Sequence, residues 1–284
     1  MTRTFRQAML LAILTVAPFR AEAGWVLEWS NVASKPEGGH MAPQPSSMAI
    51  AGGRMRLAQP EVITLIDYNT SAFSVLNPKT QVFWTGTIED YARHVAGSRA
   101  KATRQLMTNA GKKGDSAPLE VALPKVDPAT LPPISITKDR ATEKIAGYDT
   151  VKYVVQVDGD RFQELWVAPA LDMSADLNAD RYLAYQRTMG AGMAGKAAGQ
   201  YNALYLSDQY RSMIEKAFIL KMITHHMAGT FERSATSVRQ ADVADSEFTV
   251  PDEYRKVKLA DVLPAPPAAN PSSAGTTAIR PGGR

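Results

Sequence analysis

Apolar side chains recur at every second position through much of this chain, and the runs that carry them are joined by short turns. That combination constrains the fold more than any other feature. A period of two is the signature of strands. Connections this short join antiparallel neighbours, because a parallel crossover needs about a dozen residues or more. Residues 25–31 read as a first strand, and residues 48–57 as a second, with Gly52-Gly53 marking a bulge or tight bend. Residues 62–68, 72–76 and 81–85 follow as a meander. Its turns are Asn69-Thr70 and Asn77-Pro78-Lys79-Thr80, where proline pre-sets φ at the first central position. Residues 150–157 and 161–167 flank Asp158-Gly159, the strongest short hairpin signal in the sequence. Residues 218–225 and 230–239 make another hairpin about Met227-Ala228-Gly229.

Helical periodicity interrupts this pattern twice. Thr87-Ile88-Glu89-Asp90 resembles a capping box, and Tyr91, Val95, Ala102 and Leu106 continue as an apolar stripe. A second helical region spans residues 177–217 and is clearest at its end. There Ser207 is placed to cap a helix with Tyr210, Met213, Ile214 and Ala217 on one face. Long runs of strands with helices inserted in blocks predict an α+β fold rather than alternating α/β.

The strands are apolar on both faces. In residues 150–157, Val151, Tyr153, Val155 and Val157 share one face, while Val154 lies on the other with Lys152 and Gln156. The partner run puts Phe162 and Trp166 opposite Leu165 and Val167, and the meander puts Ile63 and Leu65 opposite Val62 and Ile66. A sheet with one face in water alternates more cleanly than this. Each face therefore needs a cover, and for the second face that is either the chain's own helices or a ligand.

The N-terminus has the order of a secretory signal peptide. Arg3 and Arg6 precede an apolar run over residues 8–19, and Ala21-Glu22-Ala23 supplies an A-x-A cleavage site. The run is about half of the ~20 residues that cross a bilayer, so export with cleavage near Ala23 is expected and a stable transmembrane anchor is not. Loss of Arg3, Arg6 and Arg20 together with Glu22 brings the formal charge from +4 to +2. Such a balance gives no argument for nucleic acid as a partner. Cysteine is absent, which excludes disulfides, thiolate catalysis, Cys-ligated zinc and a lipid-modified N-terminal Cys. The domains expected are a signal peptide (1–23), one folded unit (24–262) and a Pro/Ala/Gly-rich disordered tail (263–284), with linkers over 34–47 and 111–133.

No motif carries catalysis. Gly190-Ala191-Gly192-Met193-Ala194-Gly195 matches G-x-G-x-x-G, but a helical pattern precedes it where the dinucleotide fold needs a strand. His225 and His226 are adjacent on a strand and so point to opposite faces, which does not make a metal site. Glu164 reads as one half of an ion pair. Arg93, Lys101 and Arg104 fall near one face of the first helix, close to His94, Arg99 and Lys112-Lys113, either as a solvated face or toward anionic lipid headgroups or an acidic partner. The expectation is a non-enzymatic protein without metal or cofactor.

Three blocks carry a resemblance: residues 53–84, residues 144–168 and residues 245–259. With Arg54, Arg56, Asp67, Tyr68, Pro78, Gly147, Tyr148, Trp166, Phe248, Pro251 and Tyr254, they resemble a family of exported bacterial proteins with a domain of unknown function. Glu253 stands where that family more often has glycine, and the block 181–205 matches nothing in it. The resemblance implies a fold similar to the periplasmic lipoprotein-localisation (LolA/LolB-like) carriers. In them a strongly curved antiparallel sheet, an incomplete β-barrel, holds acyl chains on its concave side beneath helices. No activity follows from such a fold alone. The function expected is periplasmic or secreted binding of a lipid or other apolar small molecule. Its candidate concave-face residues are Phe73, Val75, Phe83, Trp84, Tyr153, Phe162 and Trp166. The alternative is a cell-envelope protein-interaction module whose helices fill the sheet and leave no room for a ligand.

Overall fold

The computed structural model describes residues 21–35, 38–109, 126–191, 195–226 and 229–263. Its strands are β1 (Ala21–Ser34), β2 (Gln44–Ala51), β3 (Arg54–Ala58), β4 (Ile63–Asp67), β5 (Ala72–Asn77) and β6 (Val82–Gly86). They continue as β7 (Ile134–Ile145), β8 (Tyr148–Val157), β9 (Asp160–Ala168), β10 (Phe218–His226), β11 (Gly229–Ala244) and β12 (Arg255–Lys256). All belong to one sheet in the order β12-β6-β5-β4-β3-β2-β1-β11-β10-β9-β8-β7. The sheet is curved and open, with β12 and β7 at its edges. Every pairing is antiparallel except β12 on β6. The helices are α1 (Ile88–Asn109), α2 (Ala179–Ala191), α3 (Gly195–Tyr205), α4 (Asp208–Ile214) and α5 (Leu259–Val262). This is the expected α+β architecture, with helices on the concave side of an incomplete barrel.

Local chemistry explains the turns. Asp158 and Gly159 both have positive φ (56° and 77°), as do Gly52 and Gly53 (54° and 76°). That is the geometry of two-residue hairpin loops whose twist matches the strands. Gly52-Gly53 is therefore a full hairpin turn, and the single strand expected over 48–57 is two strands. Asn77 Oδ1 accepts from the backbone N–H of Lys79 and Thr80 (both 3.1 Å), closing the β5–β6 turn around Pro78. Thr87 and Asp90 form the capping box at α1, each side chain accepting the other's backbone N–H (3.1 and 3.3 Å). Ser207 Oγ accepts from Tyr210 N at the start of α4 (3.3 Å).

Two further features departed from the sequence reading. β7 was not expected, because most of its side chains are exposed and polar and show no apolar alternation. Its pairing with β8 supplies the order that its own side chains do not. The alternation of β9 is also broken. Val155 pairs with Gln163, but Gln156 pairs with Arg161, so Phe162 is an extra residue in a β-bulge. The bulge brings Phe162 into the same cluster as Leu165 and Val167 instead of leaving it beside Trp166. The G-x-G-x-x-G run begins inside α2, a helix, and Gly190 packs against α3, where an added Cβ would lie 3.4 Å from Tyr201.

The chain covers the concave face of the sheet with helices and the convex face only in places. On the concave side, a large cluster joins Trp25, Leu27, Trp29, Ile50, Met55, Ile66, Phe73 and Val75 with Tyr91 of α1, Tyr182 and Tyr185 of α2, and Leu259 and Val262 of α5. A second cluster joins Val155, Phe162, Leu165 and Val167 with Leu183, Ala203, Leu204 and Tyr210 of α2–α4. On the convex side, Phe248 packs against Ala49, Ala51 and Val243, and its ring lies 4.6 Å beneath the Arg54 guanidinium. Farther along that side, Glu143 from β7 reaches Lys221 of β10 (3.3 Å). Residues 1–20, 110–125 and 264–284 lie outside the described residues, and with them most of the signal peptide, the middle linker and nearly all of the tail. Ala21, Glu22 and Ala23 already belong to β1, opposite Ala244, Val243 and Asp242.

Candidate functional site

Beneath α2–α4 the concave surface does not close completely. A cavity of about 210 Å³ remains between the helices and strands β1, β2 and β9–β11. Its floor is Trp29, Met48, Gln163, Met222 and Arg233, and its roof is Tyr182, Gln186, Tyr205, Tyr210 and Ile214. The block 181–205, which had no counterpart in the resemblance, supplies much of this roof. The walls are therefore largely apolar and aromatic, with polar atoms at a few points, which is the usual composition of a small-molecule site.

Those polar atoms are unusual. Arg233 Nε and Nη2 are sealed from solvent and have no hydrogen-bond partner, and the same holds for Trp29 Nε1 and Gln163 Oε1. The guanidinium stacks on the Trp29 ring, 4.2 Å from its centroid. This cation–π contact is worth about 2 kcal/mol when desolvated, less than the several kcal/mol that removing an ion from water costs. No carboxylate among the described residues forms a salt bridge with Arg233. Burial pushes its pKa down, and the nearby Tyr182 and Tyr185 oppose that only in part. Gln163 is tied on its other side, where Nε2 donates to Thr224 Oγ1 (3.1 Å). The tyrosines of the roof stay neutral, because burial raises the pKa of Tyr182 and raises those of Tyr205 and Tyr210 well above the usual value.

The opposite face holds a charged cluster on β9 and its neighbours. Glu164 on β9 is bonded by Lys152 Nζ (2.5 Å), His225 Nε2 (3.0 Å) and Arg161 Nη1 (3.2 Å). Burial alone would raise its pKa, but the hydrogen bonds of Lys152 and His225 and the charges of Lys152 and Arg161 outweigh it, so the net shift is downward. Beside it Trp166 lies between two ammonium groups, Lys152 Nζ at 5.0 Å and Lys221 Nζ at 4.7 Å from the ring. Glu164 is thus an ion-pair member, as its sequence context indicated. Among the described residues no group of three His, Cys, Asp or Glu side chains could hold a metal ion.

None of the seven residues singled out from the sequence lines the cavity at Arg233. Phe73, Val75 and Trp84 do share the concave face, where Phe73 meets Tyr91, Tyr185 and Trp84 at ring separations of 5.0, 6.2 and 6.4 Å. Phe73 lines a separate cleft of about 300 Å³ with Tyr68, Ile88, Arg181 and Tyr185. Phe162 and Tyr153 belong to the cluster under α2–α4, with Phe162 edge-on to Tyr201 at 5.0 Å. Phe83 and Trp166 are corrections. Phe83 pairs with Leu76 and so projects from the face opposite Val75 and Trp84. Trp166 pairs with Lys152 and Lys221, away from the helix-facing Leu165 and Met222. What the sequence reading missed was Arg233. Its signal was an arginine between Phe231 and Ala235 at alternating positions of an apolar strand face.

No family model and no curated protein matches the chain. Among solved structures it is similar to PNGF-II (10% identity, TM-score 0.34), over 83% of this chain and 31% of that one. It is also similar to the Pseudomonas aeruginosa MucA/MucB complex (9% identity, TM-score 0.35), over 84% of this chain and 59% of that one. A second structure, MucB in complex with MucA(peri), gives 10% identity and a TM-score of 0.33 over 84% and 58%. The chain therefore spans between about a third and three-fifths of the length of the solved chains it matches, and at these scores the likeness carries no inference about function.

Proposed function

We propose that this protein is an exported, non-enzymatic binding protein that holds a lipid or other apolar small molecule between the concave face of its sheet and helices α2–α4. The observation that carries this reading is the cavity of about 210 Å³, walled by tyrosines, Trp29 and Met48 and left unfilled by the chain. Drug-sized ligands occupy about 300–1,000 Å³. The cavity thus takes a small ligand, or one end of a longer chain, without movement of the helices. Each methylene it buries contributes about 0.8 kcal/mol. Export rests on the basic start, short apolar run and A-x-A site of residues 1–23. Among the described residues no helix is long and apolar enough to cross a membrane.

The test uses protein purified from its native envelope. Organic extraction followed by mass spectrometry is expected to release an apolar molecule in stoichiometric amount. The uncharged probe N-phenyl-1-naphthylamine should show a saturable fluorescence increase. Empty protein with no saturable probe signal would contradict the proposal and favour the self-filled interaction module. In that case deletion of residues 263–284 should abolish capture of an envelope partner.

A further inference from the structure

The walls of the cavity hold an arginine that no carboxylate among the described residues meets. Arg233 Nε and Nη2 and Trp29 Nε1 are three nitrogens without an acceptor, closed off in the empty protein, so that an acceptor reaches them only as the surrounding side chains shift. Both residues line the same space. An arginine cannot escape the penalty by losing its proton, because its pKa is too high. Leaving a buried donor unmet costs about 1–3 kcal/mol, and more for a charged group. A chain that needed only a packed core would fill this position with an aliphatic residue, which is often neutral or stabilising in place of a buried charge. The position of Arg233 is fixed from both sides, opposite Asn31 on β1 and Met222 on β10, with Trp29 under its guanidinium. It cannot swing out to solvent without leaving that stack.

We infer that the ligand is amphipathic and anionic, a single alkyl chain whose carboxylate or phosphate head group pairs with the Arg233 guanidinium while its tail lies among the tyrosines and Met48. This rests on the binding reading proposed above and specifies the ligand class. The head group is an acceptor without donors, which matches the unpaired nitrogens of Arg233 and Trp29, whereas the unpaired Gln163 Oε1 on the same wall gains nothing from it. Guanidinium binds such oxygens through paired N–H groups, the strongest hydrogen-bonding arrangement available to a side chain. Neutralising the head group also satisfies the guanidinium, so the protein discriminates by the desolvation it no longer bears. A neutral alcohol of the same length gains the tail contacts only.

The test compares dodecanoate, dodecyl phosphate and dodecanol at pH 7.4 by displacement of N-phenyl-1-naphthylamine, with wild-type protein and Arg233→Met. In the wild type, at least one anion should bind about tenfold or more tightly than the alcohol. Arg233→Met should erase that difference. The better of the two anions identifies the head group. Equal affinities for both anions and the alcohol in the wild type would overturn the inference while leaving the apolar site standing. Absence of binding by all three ligands and by the probe would remove the site itself. The wild-type comparison is decisive even if the variant misfolds. If it folds, its unfolding temperature without ligand should equal or exceed that of the wild type.

Discussion

Glu164 and Arg233 lie on the strands that flank β10, one on the convex face of the sheet and one on the concave face, and they are treated in opposite ways. Glu164 is met by Lys152, His225 and Arg161. Arg233 is met by no carboxylate, and two of its nitrogens have no acceptor. The difference lies in the partners, since Glu164, at 7% exposed, is the more buried of the two and Arg233 is partly exposed. The convex cluster is complete in the chain as it stands, whereas the concave cavity is chemically incomplete without a guest. A satisfied buried charge supports the fold. An unsatisfied one is expected where function sets the requirement.

Mutations can break this contrast, and the largest effect should come from the completed cluster. Glu164→Leu strands Lys152, whose side chain is only 18% exposed, and should destabilise the protein by about 3 kcal/mol in urea unfolding. Adding Lys152→Met to that variant removes the stranded charge, and the double variant should recover to within about 1 kcal/mol of wild type. A double variant no more stable than the single one would show that the pair is not what holds the cluster. Smaller and of opposite sign is Arg233→Met, expected to stabilise the ligand-free protein by about 1 kcal/mol, because it removes an unpaired charge. Destabilisation by that amount would mean that Arg233 has a structural partner.

The pH dependence sharpens the same comparison. The folded-state pKa of Glu164 is depressed. Its contribution is therefore fully present above the unfolded carboxylate value of about 4.3 and is lost as pH falls through the lower folded value. The stability gap between wild type and Glu164→Leu should shrink as pH falls below about 4. The gap between wild type and Arg233→Met should not follow that curve, since the guanidinium stays charged throughout.

How much was legible in the sequence differs between these regions for physical reasons. The meander, with Asp67, Asn77 and Pro78 in its turns, was readable because each turn is closed by side chains within three residues. The capping residues Thr87 and Ser207 were readable for the same reason. β7 was not, because its order comes from pairing with β8 and not from its own apolar pattern. The concave assignment of Phe83 and Trp166 did not hold for a related reason, since which face of a strand curves inward is set by neighbouring strands and bulges. The Arg233 cavity depends on β1, β9, β10 and β11 meeting helices from a separate block, so only its alternation with Phe231 and Ala235 was visible locally.

The four tryptophans allow the central contrast to be read directly. Trp29 lines the cavity and Trp166 lies on the opposite face between Lys152 and Lys221. Titration with a brominated fatty acid, whose bromine quenches indole only at short range, should produce saturable quenching in the wild type. Trp29→Phe should lose most of that quenching, and Trp166→Phe should retain it. Quenching that survives Trp29→Phe and disappears in Trp166→Phe would place the guest on the convex face and contradict the account.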